Sequence, residues 1–198
     1  IARALINPDG KGEVMVDCSQ LAPEGIKTDL ERRDFTINAI ALNIESPDNY
    51  VDPLNGIDDL KQKRLNLCSP RSFILDPVRS IRAVRFIQSL NLTFTHEVNQ
   101  RIKESLSEID GVSSERIRDE VFKILSLRHP NESIRLMDEF ELLPLIFPEL
   151  IVLKDIGPAK PHVHNAYDHT LRVCEIMDLL IQSIFDNVDY SLTSPISE

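Results

Sequence analysis

Apolar positions along the chain recur in short runs up to about residue 68 and at helical spacing beyond it. Ile1 to Ile6 is a short apolar segment, and Asn7 to Gly12 (NPDGKG) has the composition of a turn joining hairpin strands. Glu13 to Cys18 predicts a strand with Val14 and Val16 on one face and Asp17 on the other. Ser19 to Thr28 predicts a loop. Asp29 to Asn43 predicts a helix, which the β-branched Thr36 and Ile37 weaken without overturning. A strand over 49–52, a turn from Pro53 to Gly56, a short helix over 56–61 and a strand over 64–68 follow. Gly56 is expected to serve that turn through its permissive backbone.

The helical half opens with Ser72 to Asn91, where Asp76 stands near the N-cap and Pro77 at the first helical position. Val78, Ile81 and Val84 form an apolar stripe that should bury. Arg79, Arg82 and Arg85 form an adjacent cationic stripe, about 9 Å from first to last Cα. Three guanidiniums beside a core are costly unless something anionic or acidic meets them. Helices are also expected over 94–108, 113–127 and 131–140, and a turn from Glu141 to Leu150 through Pro144 and Pro148. From Pro158 the chain is rich in Pro and His, and Leu171 to Phe185 reads as an amphipathic helix. The pattern predicts an α+β chain.

Charge narrows the function classes. The 198 residues carry a net charge of −10. A general nucleic-acid coat would be basic, so any such contact must be local. One local excess exists: Arg64, Arg71, Arg79, Arg82 and Arg85 fall in a stretch whose single acid is Asp76. Cys18, Cys68 and Cys174 form no CxxC pair and are expected as reduced, buried thiols of a cytoplasmic protein. No apolar run is long enough to span a bilayer, and no signal peptide opens the chain. The start at Ile-Ala-Arg lacks an initiator Met, and a fragment is expected.

The densest chemistry lies in Asp29 to Asn38, DLERRDFTIN. Paired guanidiniums such as Arg32 and Arg33 offer rigid forks of donors that match phosphate oxygens. Asn38, four residues past Asp34, shares its face if the segment is helical. A solvated charge cluster with Asp34 capping a helix fits the same residues.

Family resemblance adds to this reading. Arg32 to Ile40 (RRDFTINAI) resembles the signature of the bacterial tRNA nucleotidyltransferase and poly(A) polymerase family. In the family's order follow Asp52-Pro53-Leu54-Asn55-Gly56 with Asp58-Asp59-Leu60, then Asp76-Pro77-Val78-Arg79 with Arg82, Arg85 and Phe86. Ser114-Glu115-Arg116-Ile117 and the turn from Leu143 to Leu150 complete the set. The resemblance implies a class II CCA-adding type of chain. Residues 1–68 would be the C-terminal part of a nucleotidyltransferase head, 69–150 a helical neck and body that binds nucleotide and RNA, and 151–198 the start of an HD-like helical domain.

It also implies roles. Arg32, Arg33, Asp34 and Asn38 would position the triphosphate. Asp76 and Arg79 would read the base, because Asp accepts from the exocyclic amino group that C and A share. Arg82 and Arg85 would meet phosphates, and Arg116 and Arg118 would support the helix or face RNA. Asp17 resembles the acidic strand position near the family's Mg2+ ions; an exposed edge-strand Asp is the other reading. The family's second acid before the Asp is here Leu75. Its Asp-x-Asp metal pair and Gly-Gly loop are not in this sequence, so the chain is expected to hold the nucleotide-selecting part of a site and to be inactive alone. His162, His164 and His169 invite a metal reading, but no His-Asp dipeptide accompanies them, and an HD phosphohydrolase site is not expected.

The parent would add CMP and/or AMP from CTP or ATP to a tRNA 3′ end. A poly(A) polymerase is the enzyme alternative, and a non-catalytic RNA-binding helical module the alternative of another class.

Overall fold

The structure is a computed structural model and describes residues 2–7, 12–21, 23–158 and 163–186. Over these residues it is mixed α and β, mostly helical, with three two-stranded sheets among the described residues. Strands β1 (Ala2–Ile6) and β2 (Val14–Cys18) pair antiparallel, with Ala4 opposite Val16. Part of the expected turn between them lies outside the described residues. Neither face of this hairpin is buried: Val14 and Met15 are exposed and Val16 is half-buried, so the alternation marks a strand but no covered side.

Helix α1 is only Ile26–Glu31. The helix expected over 29–43 does not form. The backbone is extended at Phe35 (φ −126°, ψ 148°), where it makes an isolated antiparallel bridge to Leu67. A 3-10 turn over Thr36–Asn38 and strand β3 (Ala41–Asn43) follow. Tertiary burial wins over local pattern here. Phe35 is fully buried, with its ring edge-on to Phe73 at 6.1 Å and to Phe86 at 5.6 Å. The Thr36 amide donates to the Asn66 carbonyl, and the Cys68 amide to the Asp34 carbonyl. Strand β4 (Ser46–Val51) pairs antiparallel with β3.

Helix α2 (Gly56–Lys61) begins where expected. Both Asp52 carboxylate oxygens cap it, accepting from the Gly56 and Ile57 amides at 2.7 and 2.9 Å. The positive φ falls on Asn55 (58°), not on Gly56. The glycine is required for a different reason: a Cβ there would stand 2.0 Å from the Thr36 carbonyl oxygen. Gly56→Ala is therefore expected to cost about 3 kcal/mol by overpacking against backbone, read as a lowered urea midpoint.

Strand β5 (Arg64–Leu65) is followed by helices α3 (Ser72–Leu75) and α4 (Val78–Leu90). The single helix expected from 72 to 91 is thus broken at Asp76, whose backbone is extended (φ −150°, ψ 92°). Pro77 disfavours helical geometry at the residue before it, and Pro77, not Asp76, caps α4. Val78, Ile81 and Val84 are buried as their spacing demands. Strand β6 (Thr93–Phe94) pairs parallel with β5.

The remaining helices are α5 (His96–Ser105), α6 (Ser114–Leu125), α7 (Pro130–Glu139), α8 (Leu143–Ile146), α9 (Pro148–Val152) and α10 (Ala166–Asp186). The expected turn over 141–150 instead contains α8 and α9, each with a proline in its first turn, where the missing amide costs nothing. Helix α10 starts five residues before the expected Leu171. Helix α4 packs on α6 and α7. One hydrophobic cluster draws residues from Phe35 to Leu171 and includes Phe73, Ile81, Ile102, Met137, Phe140 and Leu143. Among the described residues no helix is long and apolar enough to cross a membrane.

Candidate functional site

The loop after α1 and the start of α4 enclose an open hollow of ≈390 Å3 lined by Arg33, Asp34, Asn38, Arg79 and Arg82. Three guanidiniums there face one carboxylate. Asp34 binds one of them, Arg82, directly. It is 6 % exposed; its Oδ1 accepts from the Phe35 amide (2.9 Å) and Asn38 Nδ2 (3.2 Å), and its Oδ2 from Arg82 Nη1 (3.0 Å). The Asp34–Asn38 contact thus forms as the spacing suggested, through a tight loop and not a helix.

Arg79 acts largely on backbone. Its Nη2 donates to the Arg32 carbonyl at 3.0 Å, and its Nη1 to the Arg33 carbonyl at 3.3 Å and Ser72 Oγ at 3.0 Å. It therefore fixes the two-arginine turn against α4. Arg33 reaches Asp29 (3.4 Å) and the Asn38 carbonyl (3.2 Å) and remains about half exposed. Arg32 points to Glu24 at 3.7 Å and does not line the hollow.

The cationic stripe is met partly from within the chain. Glu120, 4 % exposed on α6, accepts from Arg85 Nε (2.9 Å) and Lys123 Nζ (2.9 Å). Arg82 Nε stands 3.6 Å from the same carboxylate: near enough for attraction, too far for a hydrogen bond. Burial pushes the Glu120 carboxyl up, but the hydrogen bonds from Lys123 and Arg85 and the charges of Arg85 and Arg82 outweigh it. The group ends below its ordinary value. Arg85 lies outside the hollow's lining.

Asp76 also stands outside the lining and binds Arg116, whose Nη2 donates to Oδ2 at 2.8 Å. Its Oδ1 is buried and carries no hydrogen bond. That hydrogen bond to Asp76 raises the Arg116 pKa above its ordinary value against the opposing effect of burial. Leu75, beside it, is exposed. Arg118 is exposed and pairs with its neighbour Asp119. Asp17 is not drawn to the hollow; it forms a two-pronged pair with Arg3 across the hairpin, at 2.6 and 2.9 Å. The Arg3 hydrogen bond holds the Asp17 carboxyl below its ordinary value. Among the described residues no three His, Cys, Asp or Glu side chains cluster to hold a metal ion. His162 lies outside the described residues.

Sequence reasoning missed two residues that hold the loop. Asp59, 5 % exposed, accepts from Thr36 Oγ1 (2.7 Å), Asn66 Nδ2 (2.8 Å) and Arg64 Nη2 (3.1 Å), tying α2 and β5 to the residues after Asp34. Glu120 was legible in principle. An acid within the stripe Ile117, Val121, Ile124 is a buried position that needs partners.

The cysteines separate by surroundings. Burial, with Asp34 nearby, pushes the Cys68 thiol up to about 12 against the opposing charges of Arg79 and Arg33. Cys18 is exposed, contrary to the buried thiol expected. Cys18 is therefore expected to react with a thiol-specific reagent at neutral pH, while Cys68 reacts only on unfolding; mass spectrometry of the modified sites checks this.

Two family models match the chain and together cover more than half of it. Residues 9–66 match the "Poly A polymerase head domain" and residues 91–153 the "Probable RNA and SrmB- binding site of polymerase A". An A-adding tRNA nucleotidyltransferase from Deinococcus radiodurans is 35 % identical over 163 residues, covering 80 % of this chain and 37 % of that protein. A CC-adding tRNA nucleotidyltransferase from Geobacter sulfurreducens is 38 % identical over 128 residues, covering 65 % of this chain and 29 % of that protein. The chain therefore spans well under half the length of these relatives. The structure of a Thermotoga maritima CCA-adding enzyme complexed with tRNA superimposes with a TM-score of 0.65 at 28 % identity, covering 93 % of this chain and 43 % of that one. With both models matched in order and the same fold, the chain belongs to the tRNA nucleotidyltransferase and poly(A) polymerase family.

Proposed function

We propose that the protein carrying this chain is a tRNA 3′-end nucleotidyltransferase that adds CMP and/or AMP from CTP or ATP without a nucleic-acid template, in the cytoplasm. The reading rests on one observation above all: the two-arginine loop and the α4 stripe, far apart in sequence, converge on one cationic hollow. Guanidiniums in such an arrangement suit a triphosphate. In the reaction the RNA 3′-hydroxyl oxygen loses its proton to solvent and bonds to the α-phosphorus, the α-phosphorus–oxygen bond to the β-phosphate breaks, and pyrophosphate leaves with that oxygen.

Each residue then has a task. Arg33 and Arg82 contact phosphate oxygens, with Arg32 at the rim. Asp34, Asn38 and Arg79 hold that loop in place. Arg85 acts through Glu120, which it shares with Arg82. Arg116 holds Asp76 beside the start of α4; reading of the base by Asp76 rests on the family resemblance, because its Oδ1 is buried and would have to be uncovered before it could accept from the exocyclic amino group of C or A. Leu75 adds no second acceptor. Magnesium, which the resemblance implies, does not fit the described residues: Asp17 is paired to Arg3 and no acid cluster stands near it.

The names of the relatives support tRNA as the acceptor, and the head-domain match keeps a poly(A) polymerase as the second reading. The test is extension by the full-length protein of a tRNA transcript lacking its terminal nucleotides, with each labelled triphosphate in turn. Incorporation of C or A alone, lost in Arg33→Ala, is expected. Extension of any single-stranded RNA by A, with tRNA no better, would favour the second reading, and no incorporation would contradict both.

A further inference from the structure

Helix α6 carries a feature that the nucleotide hollow does not use. Helix α6 and the α8 segment border a second hollow of ≈430 Å3, which shares no lining residue with the first and is lined by Ile117, Arg118, Val121, Phe122, Leu145 and Phe147 among others. Phe122 is 61 % exposed. Among the described residues the exposed aromatics are Tyr50 and Phe122, and Phe122 is the one within residues 91–153. No other described aromatic ring packs against it.

We propose that Phe122 and Arg118 form a stacking platform for one unpaired nucleobase of the RNA substrate. This rests on the proposed RNA-extending function. Arg118 stands four residues before Phe122, on the same face of α6. Among the described residues its guanidinium pairs with its neighbour Asp119, a pair exposed at both ends that yields readily to a phosphate. A base stacks its flat apolar face on Phe122 and enters the apolar hollow, while Arg118 meets the adjoining phosphodiester. The size of the hollow also favours a base. It matches a small-molecule pocket, not the extended groove with anchors over two turns that a partner helix needs.

The test measures binding of a short labelled single-stranded RNA and of a blunt RNA duplex to the full-length protein and its Phe122→Ala, Phe122→Leu and Phe122→Trp variants. Phe122 is exposed, so all three should melt as the wild type does. Phe122→Ala and Phe122→Leu are expected to weaken single-strand binding about tenfold and leave duplex binding unchanged, and Phe122→Trp to restore it. Unchanged single-strand binding in Phe122→Ala would overturn the proposal. Full retention in Phe122→Leu would also overturn it, because an apolar surface would then suffice, as for a protein partner's side chain. Binding of CTP or ATP at the Arg33 hollow, measured in the same variants, separates the two readings: it fails with the proposed function and persists if only the platform is wrong.

Discussion

An Asp34→Ala variant is expected to lose about 4 kcal/mol of folding stability, the cost of removing one partner from a buried pair. Three donors depend on this carboxylate: the Phe35 amide, Asn38 Nδ2 and the Arg82 guanidinium. Alanine leaves the buried amide unpaired and strips Arg82 of its hydrogen-bonded counter-charge. The loop would then lose one of its two anchors to α4, keeping the one through Arg79, and nucleotide binding should fall with it even where the fold survives. Urea unfolding gives the first quantity and calorimetry the second. Asp34→Asn keeps the shape but cannot balance the charge of Arg82, and should fall between wild type and alanine. A loss below about 1 kcal/mol in the alanine variant would mean that the geometry around Asp34 is not what holds the loop.

The second large effect is expected at Glu120. Glu120→Gln leaves Arg82, Arg85 and Lys123 facing a neutral amide, and a cost of about 3 kcal/mol follows from uncoupling a buried carboxylate from its cations. The pH dependence carries a clearer signature. The folded carboxyl lies below its ordinary value. Its contribution is therefore fully present above the unfolded-state value, near 4.5, and is lost as pH falls through the lower folded value. The wild-type melting temperature should drop as pH falls below that point, and the glutamine variant, which cannot titrate there, should drop less. Parallel profiles for the two proteins would contradict this assignment.

The helical half was the more legible part. Spacing alone placed Val78, Ile81 and Val84 in the core and set three arginines beside them. Pro77 was also visible, and its restriction on the preceding residue accounts for the break that turns Asp76 toward Arg116. The loop at Arg32 to Asn38 was misread as helix because its charges and apolar residues fit a helical pattern locally. What decides its shape is remote: Leu67 bridges Phe35, Asn66 accepts from Thr36, and Asp59 takes the Thr36 hydroxyl. Pattern within a window cannot report partners that meet only on folding. The same reason hides which arginine the buried acid of α6 meets, though the acid's own position is legible in its stripe, and it hides the carbonyl that forbids a side chain at position 56.

The proposed function requires that the hollow around Arg33 and Arg82 hold a nucleoside triphosphate selected by its base. The most direct measurement is calorimetric titration of the full-length protein with CTP, ATP, GTP and UTP, repeated with Arg33→Ala. Saturable binding of CTP or ATP is expected, with GTP and UTP far weaker, and a loss of about ten- to a hundredfold on removing the guanidinium. Equal binding of all four nucleotides, or binding that Arg33→Ala leaves intact, would contradict it.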